Sequence, residues 1–421
     1  MKRLALTVTG LALAFLFSLV RTAFAQPSSA STCTVTISTS TSIQSQLGLA
    51  PGGVLCLHGG TYTVSQLQMM VSGTASARLT LRGYPGETAI LKASGGGGVL
   101  RVTGAYWTVS NLILDNNGLI EPVVNIVASA HHFELLSSEV RNGTWYGISV
   151  FAPYARLEGN QIHYFRPPTQ DTSATSERHC IAGQSGASNL IVRANTIYDC
   201  WGDGLQMYEP DADLDPAGWA HNVLIENNTF KRGSALVYGS NALDIKGVVS
   251  GIVRNNDIGG YALPEVTMLH PDQAAVVIHH GAQGLLFENN TVHDNWEALC
   301  LNSTGGGQLV AVTIRQNEFR NSVNYGITIS GLYGGSSIQN NTLINNGGHA
   351  IQVSGQGMVN SQLDHNLIIA SASSQSFGAT YQNTTMGPNA WYSSVRLDKF
   401  INARDVLGAG DPGSVIGFGK Q

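Results

Sequence analysis

The sequence predicts an all-β fold, a single-stranded right-handed parallel β-helix (solenoid) in which one chain winds through stacked coils. An asparagine, one variable residue and then an apolar residue recur at spacings of 24 to 35 residues. Each marker follows a strand-like phrase such as NLIVRAN or GLLFENN, and helical periodicity is nearly absent. Repeats of this length with short strands are typical of parallel β-solenoids. The markers are Asn160, Asn195, Asn228, Asn256, Asn290, Asn317, Asn341 and Asn366.

The recurring asparagine indicates a ladder along one corner of the coils. A side-chain amide both donates and accepts hydrogen bonds, so stacked asparagines can bond one another, whereas stacked carboxylates would repel. The alternative is that the asparagines only mark turns, which does not explain the fixed frame. Asn111 and Ser138 fit the same frame further upstream.

The first 25 residues have the layout of a secretory signal peptide. A basic start precedes an apolar run over residues 4–20, and AFA at residues 23–25 is a small-x-small cleavage site. Cleavage before Gln26 would give a secreted or periplasmic protein without stable membrane insertion. The alternative is an uncleaved anchor, although the apolar run is at the short limit for a spanning helix.

The charge of the mature chain argues against nucleic acid as a partner. The signal peptide contains three basic and no acidic residues, so its removal changes the formal net charge from −5 to −8. Nucleic-acid binding usually needs a basic face. An acidic polymer as partner would require a bound cation or a local basic cluster, and the chain is expected to be a monomer.

Residues 26–421 are expected to form one β-helix domain with a cap at each end. The N-terminal cap spans about 26–60, the coils about 61–370, and an irregular C-terminal tail about 371–421. Caps are needed because an open solenoid end exposes strand edges and core. Residues 41–48, TSIQSQLG, are predicted to form a short amphipathic helix over the first coil.

The five cysteines fit an exported protein, which can keep disulfides. Cys33 and Cys56 are the predicted bridge, a bridge between Cys180 and Cys200 is an open alternative, and Cys300 is left over. A thiolate metal site is not expected, because the sequence contains no Cys-x-x-Cys pair.

Coil length points to a groove over the middle of the rod. The coils between Asn160 and Asn290 are the longest, and their extra residues are polar or contain proline. Insertions in a solenoid become loops, often on its binding face. The long segments are residues 166–178, 209–219 and 261–273.

The second strands of these coils align by their apolar residues, which stacks the phrases DGLQMYE, NALDIKG, AVVIHHG and EALCLNS. Side chains alternate between the two faces of a strand, so the alignment predicts two adjacent outward columns. A slip of one residue would send every one of these side chains to the other face. One column contains Tyr208, Lys246, His279 and Asn302, and the other contains Gln206, Asp244, Val277 and Cys300.

The phrases LAPGGVLCLHGGTY (49–62) and LTLRGYPGETAIL (79–91), followed by WTVSNLIL, resemble the opening of right-handed parallel β-helix polysaccharide lyases. These include pectate lyases of family 9 and alginate and chondroitin lyases of family 6. The resemblance implies an acidic polysaccharide substrate cleaved by β-elimination. It also implies a lysine base and a calcium ion held by aspartates.

On this resemblance, Lys246 is the candidate base that removes the proton α to the uronate carboxylate. His279 is a candidate proton donor or alternative base, and Tyr208 is the candidate donor to the leaving oxygen. Calcium prefers clustered oxygen ligands. The candidate calcium ligands are Asp203, Asp244, Glu209, Asp211 and Asp213. The candidate substrate-binding residues are Gln206, Asn302, Arg178 and Arg232.

Other functions stay open on the same scaffold. HHG at residues 279–281 weakly resembles a phrase of polygalacturonase-like hydrolases, but inverting hydrolysis needs two carboxyl groups and the chain contains no Asp-Asp pair. An epimerase would share the proton abstraction of a lyase. A non-catalytic glycan-binding or surface protein would use the rod only as a scaffold. Asp244 and Lys246 would then form an ordinary surface salt bridge.

Overall fold

Three long parallel β-sheets enclose an apolar core, and a typical coil contributes one strand to each sheet in turn. The computed structural model describes residues 32–167, 177–208, 216–233, 241–261, 274–303, 307–369, 381–387, 389–393 and 415–418. Within these residues the first and second sheets each contain 14 strands and the third contains 11. The predicted parallel β-solenoid is confirmed.

The strands of the first sheet are Val35–Ile37, Val54–Leu57, Leu79–Gly83, Trp107–Ser110, Glu134–Leu136, Arg156–Glu158, Ile191–Arg193, Leu224–Glu226, Ile252–Arg254, Leu286–Glu288, Thr313–Arg315, Ser337–Gln339, Gln362–Asp364 and Thr385–Met386. Those of the second sheet are Gly60–Val64, Ala89–Ala93, Ile113–Asp115, Glu139–Gly143, Gln161–Phe165, Thr196–Cys200, Thr229–Lys231, Asp257–Gly259, Thr291–His293, Glu318–Arg320, Thr342–Ile344, Leu367–Ile369, Ala390–Ser393 and Val415–Phe418. Those of the third sheet are Leu67–Met69, Leu100–Val102, Val124–Ile126, Ile148–Val150, Ile181–Gly183, Leu205–Met207, Leu243–Lys246, Ala274–His279, Glu297–Leu301, Tyr325–Ile329 and His349–Val353. The short elements are two strand pairs, Ala220–His221 with Val248–Val249 and Met358–Val359 with Tyr381–Gln382, and two 3-10 turns, Gln44–Gln46 and Pro216–Gly218.

The core is apolar because the central residue of each three-residue strand in the first sheet after Val35–Ile37 points inward. Leu135, Leu157 and Val192 occupy the same register on successive strands and are all 0% exposed. Full burial of such a side chain stabilises the fold by about 1.5 to 3 kcal/mol. Stacking the coils therefore places like residues on like residues.

The predicted asparagine ladder is present. Asn160 Nδ2 donates to Asn195 Oδ1 at 3.0 Å, and the backbone N–H of Asn160 donates to the same oxygen at 2.9 Å. The Asn160 amide also donates to the carbonyl oxygen of Leu135 at 2.9 Å. The same side-chain bond links the remaining rungs Asn195, Asn228, Asn256, Asn290, Asn317, Asn341, Asn366 and Asn389.

The upstream end of the ladder differs from the prediction at one position. Ser138 lies in the ladder, where its backbone N–H donates to Asn160 Oδ1 at 2.9 Å. The next rung is Leu112, whose N–H donates to Ser138 Oγ at 3.3 Å. Asn111 is instead exposed, with a left-handed φ of +54° that asparagine tolerates. Its assignment was wrong by one residue, because the local Asn-x-apolar pattern is also compatible with a corner position.

A single 3-10 turn, Gln44–Gln46, occupies the place of the helix predicted over residues 41–48. The Gln44 side chain accepts from the Gln68 N–H at 2.8 Å and donates to the Gln68 carbonyl at 3.1 Å. Gln68 lies in the first strand of the third sheet, whose edge would otherwise expose unpaired backbone groups. A side-chain amide therefore covers this edge, while Ile43 and Leu47 are buried in the core.

Cys33 is bonded to Cys56 as predicted, and Cys180 is bonded to Cys200, which settles the pairing that the sequence left open. Cys300 is a buried thiol. The predicted signal peptide, most of the three long loop segments and most of the tail after residue 370 lie outside the described residues. In the described part, no helix is long and apolar enough to cross a membrane.

Candidate active site

Neighbouring strands of the third sheet bring the predicted site residues together. Gln206 pairs in register with Asp244, and Lys246 pairs with His279 on the next strand. The predicted alignment of the second strands is therefore confirmed. The strands involved are Leu205–Met207, Leu243–Lys246, Ala274–His279 and Glu297–Leu301.

The charged pair faces outward but is largely covered. Leu243 and Ile245 lie in the core, so the alternating side chains of Asp244 and Lys246 point away from it. These two side chains are 8% and 19% exposed. Partial removal from water strengthens electrostatic interactions within the pair, in contrast to a fully exposed surface salt bridge.

Asp244 is the centre of the site. Its Oδ1 lies 2.6 Å from His279 Nε2, and its Oδ2 lies 3.0 Å from Lys246 Nζ. Gln206 Nε2 donates to the same Oδ2 at 3.1 Å. One carboxylate therefore orients an imidazole, an ammonium group and an amide that come from three neighbouring strands.

These contacts decide the charge of the pair. Burial favours a higher pKa for Asp244, but the hydrogen bond from His279 and the charge of Lys246 hold the pKa of this carboxyl well below its usual range. Burial favours a lower pKa for Lys246, but the carboxylates of Asp244 and Asp203 raise it above its ordinary value. Both groups are therefore ionised at neutral pH. A lysine must lose its proton to act as a base, and the raised pKa of Lys246 opposes that loss.

Asp203, predicted as a calcium ligand, is 1% exposed and lies beside Asp244. Gln206 Nε2 links the two carboxylates, since it also donates to Asp203 Oδ2 at 3.2 Å. The backbone N–H of Asn241 donates to Asp203 Oδ1 at 2.9 Å. Burial, with a smaller contribution from Glu177, raises the pKa of Asp203 to about 6. The two aspartates of one hydrogen-bonded unit thus have pKa values shifted in opposite directions.

The sequence interpretation missed Glu177 and His179. His179 Nδ1 lies 3.1 Å from Asp203 Oδ2, and His179 Nε2 lies 3.6 Å from Glu177 Oε2. Of the residues that the structure describes, only this trio groups three possible metal ligands closely enough for one ion. The sequence contained a signal for both residues. The phrase ERHC at residues 177–180 directly precedes the strand Ile181–Gly183, and this strand pairs with Leu205–Met207 of the next coil.

The described carboxylates do not present an open calcium position. Hydrogen-bond donors or cationic groups already contact both oxygens of Asp244 and both oxygens of Asp203. The backbone N–H of Asp203 also donates to His179 Nδ1 at 3.0 Å. Calcium stays a prediction, because the other predicted ligands lie outside the described residues. These are Glu209, Asp211 and Asp213.

A family model for the right-handed beta helix region matches residues 97–242 and 218–368, well over half of the chain. The chain belongs to the right-handed β-helix family. No curated protein matches its sequence.

Solved structures share the fold of this β-helix protein at low sequence identity. An alginate lyase from Paenibacillus sp. is 20% identical, with a TM-score of 0.53 over 77% of this chain and 98% of that chain. The A-module of a mannuronan C-5 epimerase from Azotobacter vinelandii is 17% identical, with a TM-score of 0.52 over 75% and 91%. A lacto-N-biosidase from Eubacterium ramulus is 13% identical, with a TM-score of 0.56 over 76% and 62%. At these identities the likeness establishes the fold alone.

Two predicted residues of the β-helix protein extend the outward column at its ends. Tyr208 follows the strand Leu205–Met207 and is 42% exposed. Asn302 is buried, and its Oδ1 accepts a hydrogen bond from Ser330 Oγ at 2.7 Å. Of the two, Tyr208 is therefore the side chain that is open to a ligand.

The two predicted substrate-binding arginines lie on the corner between the second and third sheets. Arg178 is 8% exposed, and its guanidinium lies 4.6 Å from the centre of the Trp145 ring. Arg232 directly follows the strand Thr229–Lys231 and is partly buried. Their roles in binding stay predictions.

Proposed function

We propose that the chain is an exported polysaccharide lyase that cleaves a uronate-containing polymer by β-elimination. One observation carries the proposal: Lys246 and His279 lie side by side in register and both contact Asp244 on the outward face of the central coils. Elimination needs a proton acceptor and a proton donor at fixed positions near an acidic sugar. This group offers titratable nitrogen atoms held by a single carboxylate.

In the proposed reaction, a base takes the proton from the carbon α to the sugar carboxylate. The electron pair of that C–H bond forms the new C=C bond, the glycosidic C–O bond breaks, and the leaving oxygen takes up a proton. Lys246 Nζ is the proposed base in its deprotonated form, with His279 as the alternative. Tyr208, exposed at the end of the adjacent strand, is the proposed proton donor to the leaving oxygen.

Calcium is included in the proposal as a cofactor that neutralises the sugar carboxylate when bound. The proposed ligands are Asp203 and Asp244, together with Glu209, Asp211 and Asp213, which lie outside the described residues. Bound calcium would also act on Lys246, whose pKa is raised, because a nearby divalent cation favours the neutral amine.

The similar structures support a carbohydrate substrate, since one is an alginate lyase and another is a mannuronan C-5 epimerase. The signal-peptide layout and the two disulfides support export to an oxidising compartment, outside the cell or in the periplasm.

Glycoside hydrolysis is a second candidate, favoured by the opposite pKa shifts of Asp203 and Asp244. Hydrolysis requires a general acid with a raised pKa and a second carboxylate that stays ionised. Hydrolysis ranks below elimination because a general acid must reach the glycosidic oxygen, and Asp203 is buried.

The test is incubation with alginate, polygalacturonate and chondroitin sulfate, each with calcium or with a chelator. The ultraviolet absorbance of the unsaturated product reports elimination. Lys246→Ala is expected to lower the rate at least 100-fold, a typical contribution of a proton-transfer residue. Lys231→Ala, which removes an exposed lysine of the second sheet, serves as the control and is expected to leave the rate unchanged.

The other outcomes contradict the proposal in distinguishable ways. New reducing ends without unsaturated product indicate hydrolysis, and a changed uronate configuration without chain cleavage indicates epimerisation. Binding to a polymer with no change in it indicates a glycan-binding protein. If elimination occurs and Lys246→Ala retains most of it, the assignment of the base is wrong.

A further inference from the structure

A cavity of about 500 Å³ opens on the outer side of the second sheet, in coils that precede the candidate active site. The coils that form it contain the strands Ala89–Ala93, Ile113–Asp115, Glu139–Gly143 and Gln161–Phe165. No residue of this cavity belongs to the set assigned to the reaction. The side chains used in the argument below are Lys92, Asn117, Asn142, Thr144, Tyr164 and Arg166.

The cavity is lined by two cationic side chains, Lys92 and Arg166. Lys92 is exposed and makes no ion pair with any described residue. Arg166 Nη2 lies 3.3 Å from Asp199 Oδ2 and the guanidinium lies 5.1 Å from the centre of the Tyr164 ring, yet the Arg166 side chain is 33% exposed. A carboxylate entering the cavity would therefore meet Lys92 and the exposed part of Arg166, which can form charge-assisted hydrogen bonds with it.

The acidic residue in the cavity does not cancel this charge. Asp115 Oδ2 lies 3.0 Å from Arg141 Nε and accepts from Asn142 Nδ2 at 3.0 Å. Asp115 Oδ1 accepts from the backbone N–H of Asn117 at 2.9 Å. The charge of Asp115 is thus already paired with Arg141, which leaves Lys92 and the exposed part of Arg166 to face solvent.

Tyr164 adds an aromatic surface to the cavity. It is 42% exposed, and its φ of +62° is the corner conformation that Asn142 and Asp199 share in the same register on the neighbouring coils. The repeated corner places the Tyr164 ring at the rim of a cavity that also contains amide and hydroxyl groups. An apolar surface beside a few placed polar groups is typical of a small-molecule site.

A continuous run of contacts connects the cavity to the active site. Thr144 of the cavity precedes Trp145, and the guanidinium of Arg178 lies over the Trp145 ring. Tyr146 follows, with its ring centre 5.2 Å from that of His179 beside the buried aspartates. Coils lie about 4.8 Å apart, so a polymer that follows this corner along the rod would pass from one place to the other.

We propose that this cavity is a distal binding subsite for one uronate unit of the acidic polymer. Lys92 and Arg166 bind its carboxylate, Tyr164 contacts the sugar ring, and the neighbouring amide and hydroxyl groups bind its hydroxyls. The polymer then lies along the corner between the second and third sheets, toward the N-terminal coils. The identity of the ligand rests on the proposed function.

The test is affinity electrophoresis in gels that contain alginate, polygalacturonate, chondroitin sulfate or neutral dextran. Tyr164→Asn removes the ring and keeps a residue type that accepts the left-handed φ, and Lys92→Gln removes the charge. The matched controls are Tyr154→Asn, an exposed tyrosine with a φ of +60° on a different corner, and Lys231→Gln, an exposed lysine outside the cavity. Thermal unfolding checks that each variant is folded.

The expected result is retardation of the wild type by at least one acidic polymer and not by dextran. Tyr164→Asn and Lys92→Gln each weaken the dissociation constant at least fivefold, while both controls bind like the wild type. Equal binding by folded cavity variants and wild type overturns the subsite, as does a wild type that no acidic polymer retards. Equal losses in Lys92→Gln and Lys231→Gln also overturn it, because they indicate attraction by net charge alone.

Failure of the subsite and failure of the proposed function are separate results. Retardation that the cavity variants weaken, without any unsaturated product, supports the subsite and contradicts the lyase. Unsaturated product from a wild type and a Tyr164→Asn variant that bind the polymer equally supports the lyase and overturns the subsite.

Discussion

Replacing Asn256 with alanine would remove one rung from the middle of the asparagine ladder. The Asn256 side chain accepts hydrogen bonds from the backbone N–H and from the Nδ2 of Asn228, both at 3.0 Å. It donates to the carbonyl of Ile225 at 3.0 Å and to Asn290 Oδ1 at 2.9 Å. All four bonds are lost in the variant.

The magnitude follows from these four bonds. A typical hydrogen bond contributes about 0.5 to 1.5 kcal/mol net, and a buried donor left without an acceptor costs about 1 to 3 kcal/mol. Asn228 is 1% exposed, so water cannot replace its lost acceptor without opening the corner. We expect Asn256→Ala to lower the free energy of unfolding by about 3 to 6 kcal/mol.

The assay is urea denaturation followed by circular dichroism, with the change in midpoint converted through the slope of the transition. The neighbouring Asn255 has a φ of +55° and is outside the ladder, so Asn255→Gly keeps the backbone conformation and serves as the control. A loss below about 1 kcal/mol for Asn256→Ala, or an equal loss in the control, would refute the idea that the ladder bonds stabilise the rod.

Three further predictions concern the charged pair. Asp244→Asn is expected to cost about 2 to 4 kcal/mol of stability, because it leaves the largely covered ammonium group of Lys246 without its carboxylate; an unchanged urea midpoint would contradict this. The raised pKa of Lys246 predicts a stability that is constant below the unfolded value of about 10.4 and falls as the pH rises through the higher folded value. Urea midpoints measured across alkaline pH, with Lys246→Met as the variant that lacks this dependence, check the prediction. If Lys246 is the base, the rate of elimination rises over the same alkaline range, and Asp244→Asn shifts that rise to lower pH.

Much of the site could be predicted because the coils repeat the same register. Once the apolar residues of the second strands were aligned, side-chain alternation was enough to place Lys246 beside His279 and Gln206 beside Asp244. The Asn-x-apolar frame failed at Asn111, where a corner asparagine lies one residue from the ladder position. Several aligned repeats predict reliably which residues share a column, whereas a single residue near a corner is compatible with more than one alignment.

The sequence by itself determined the β-helix, the asparagine ladder, one disulfide and the columns of the site, because all of these follow from a short period repeated along the chain. Only the tertiary structure decided that Asp244 contacts Lys246, His279 and Gln206 together, and that Glu177 and His179 lie beside Asp203. It also decided that the pKa of Lys246 rises and not falls. The physical reason is that periodicity fixes which way a side chain points, whereas burial and charge depend on all the coils that surround it.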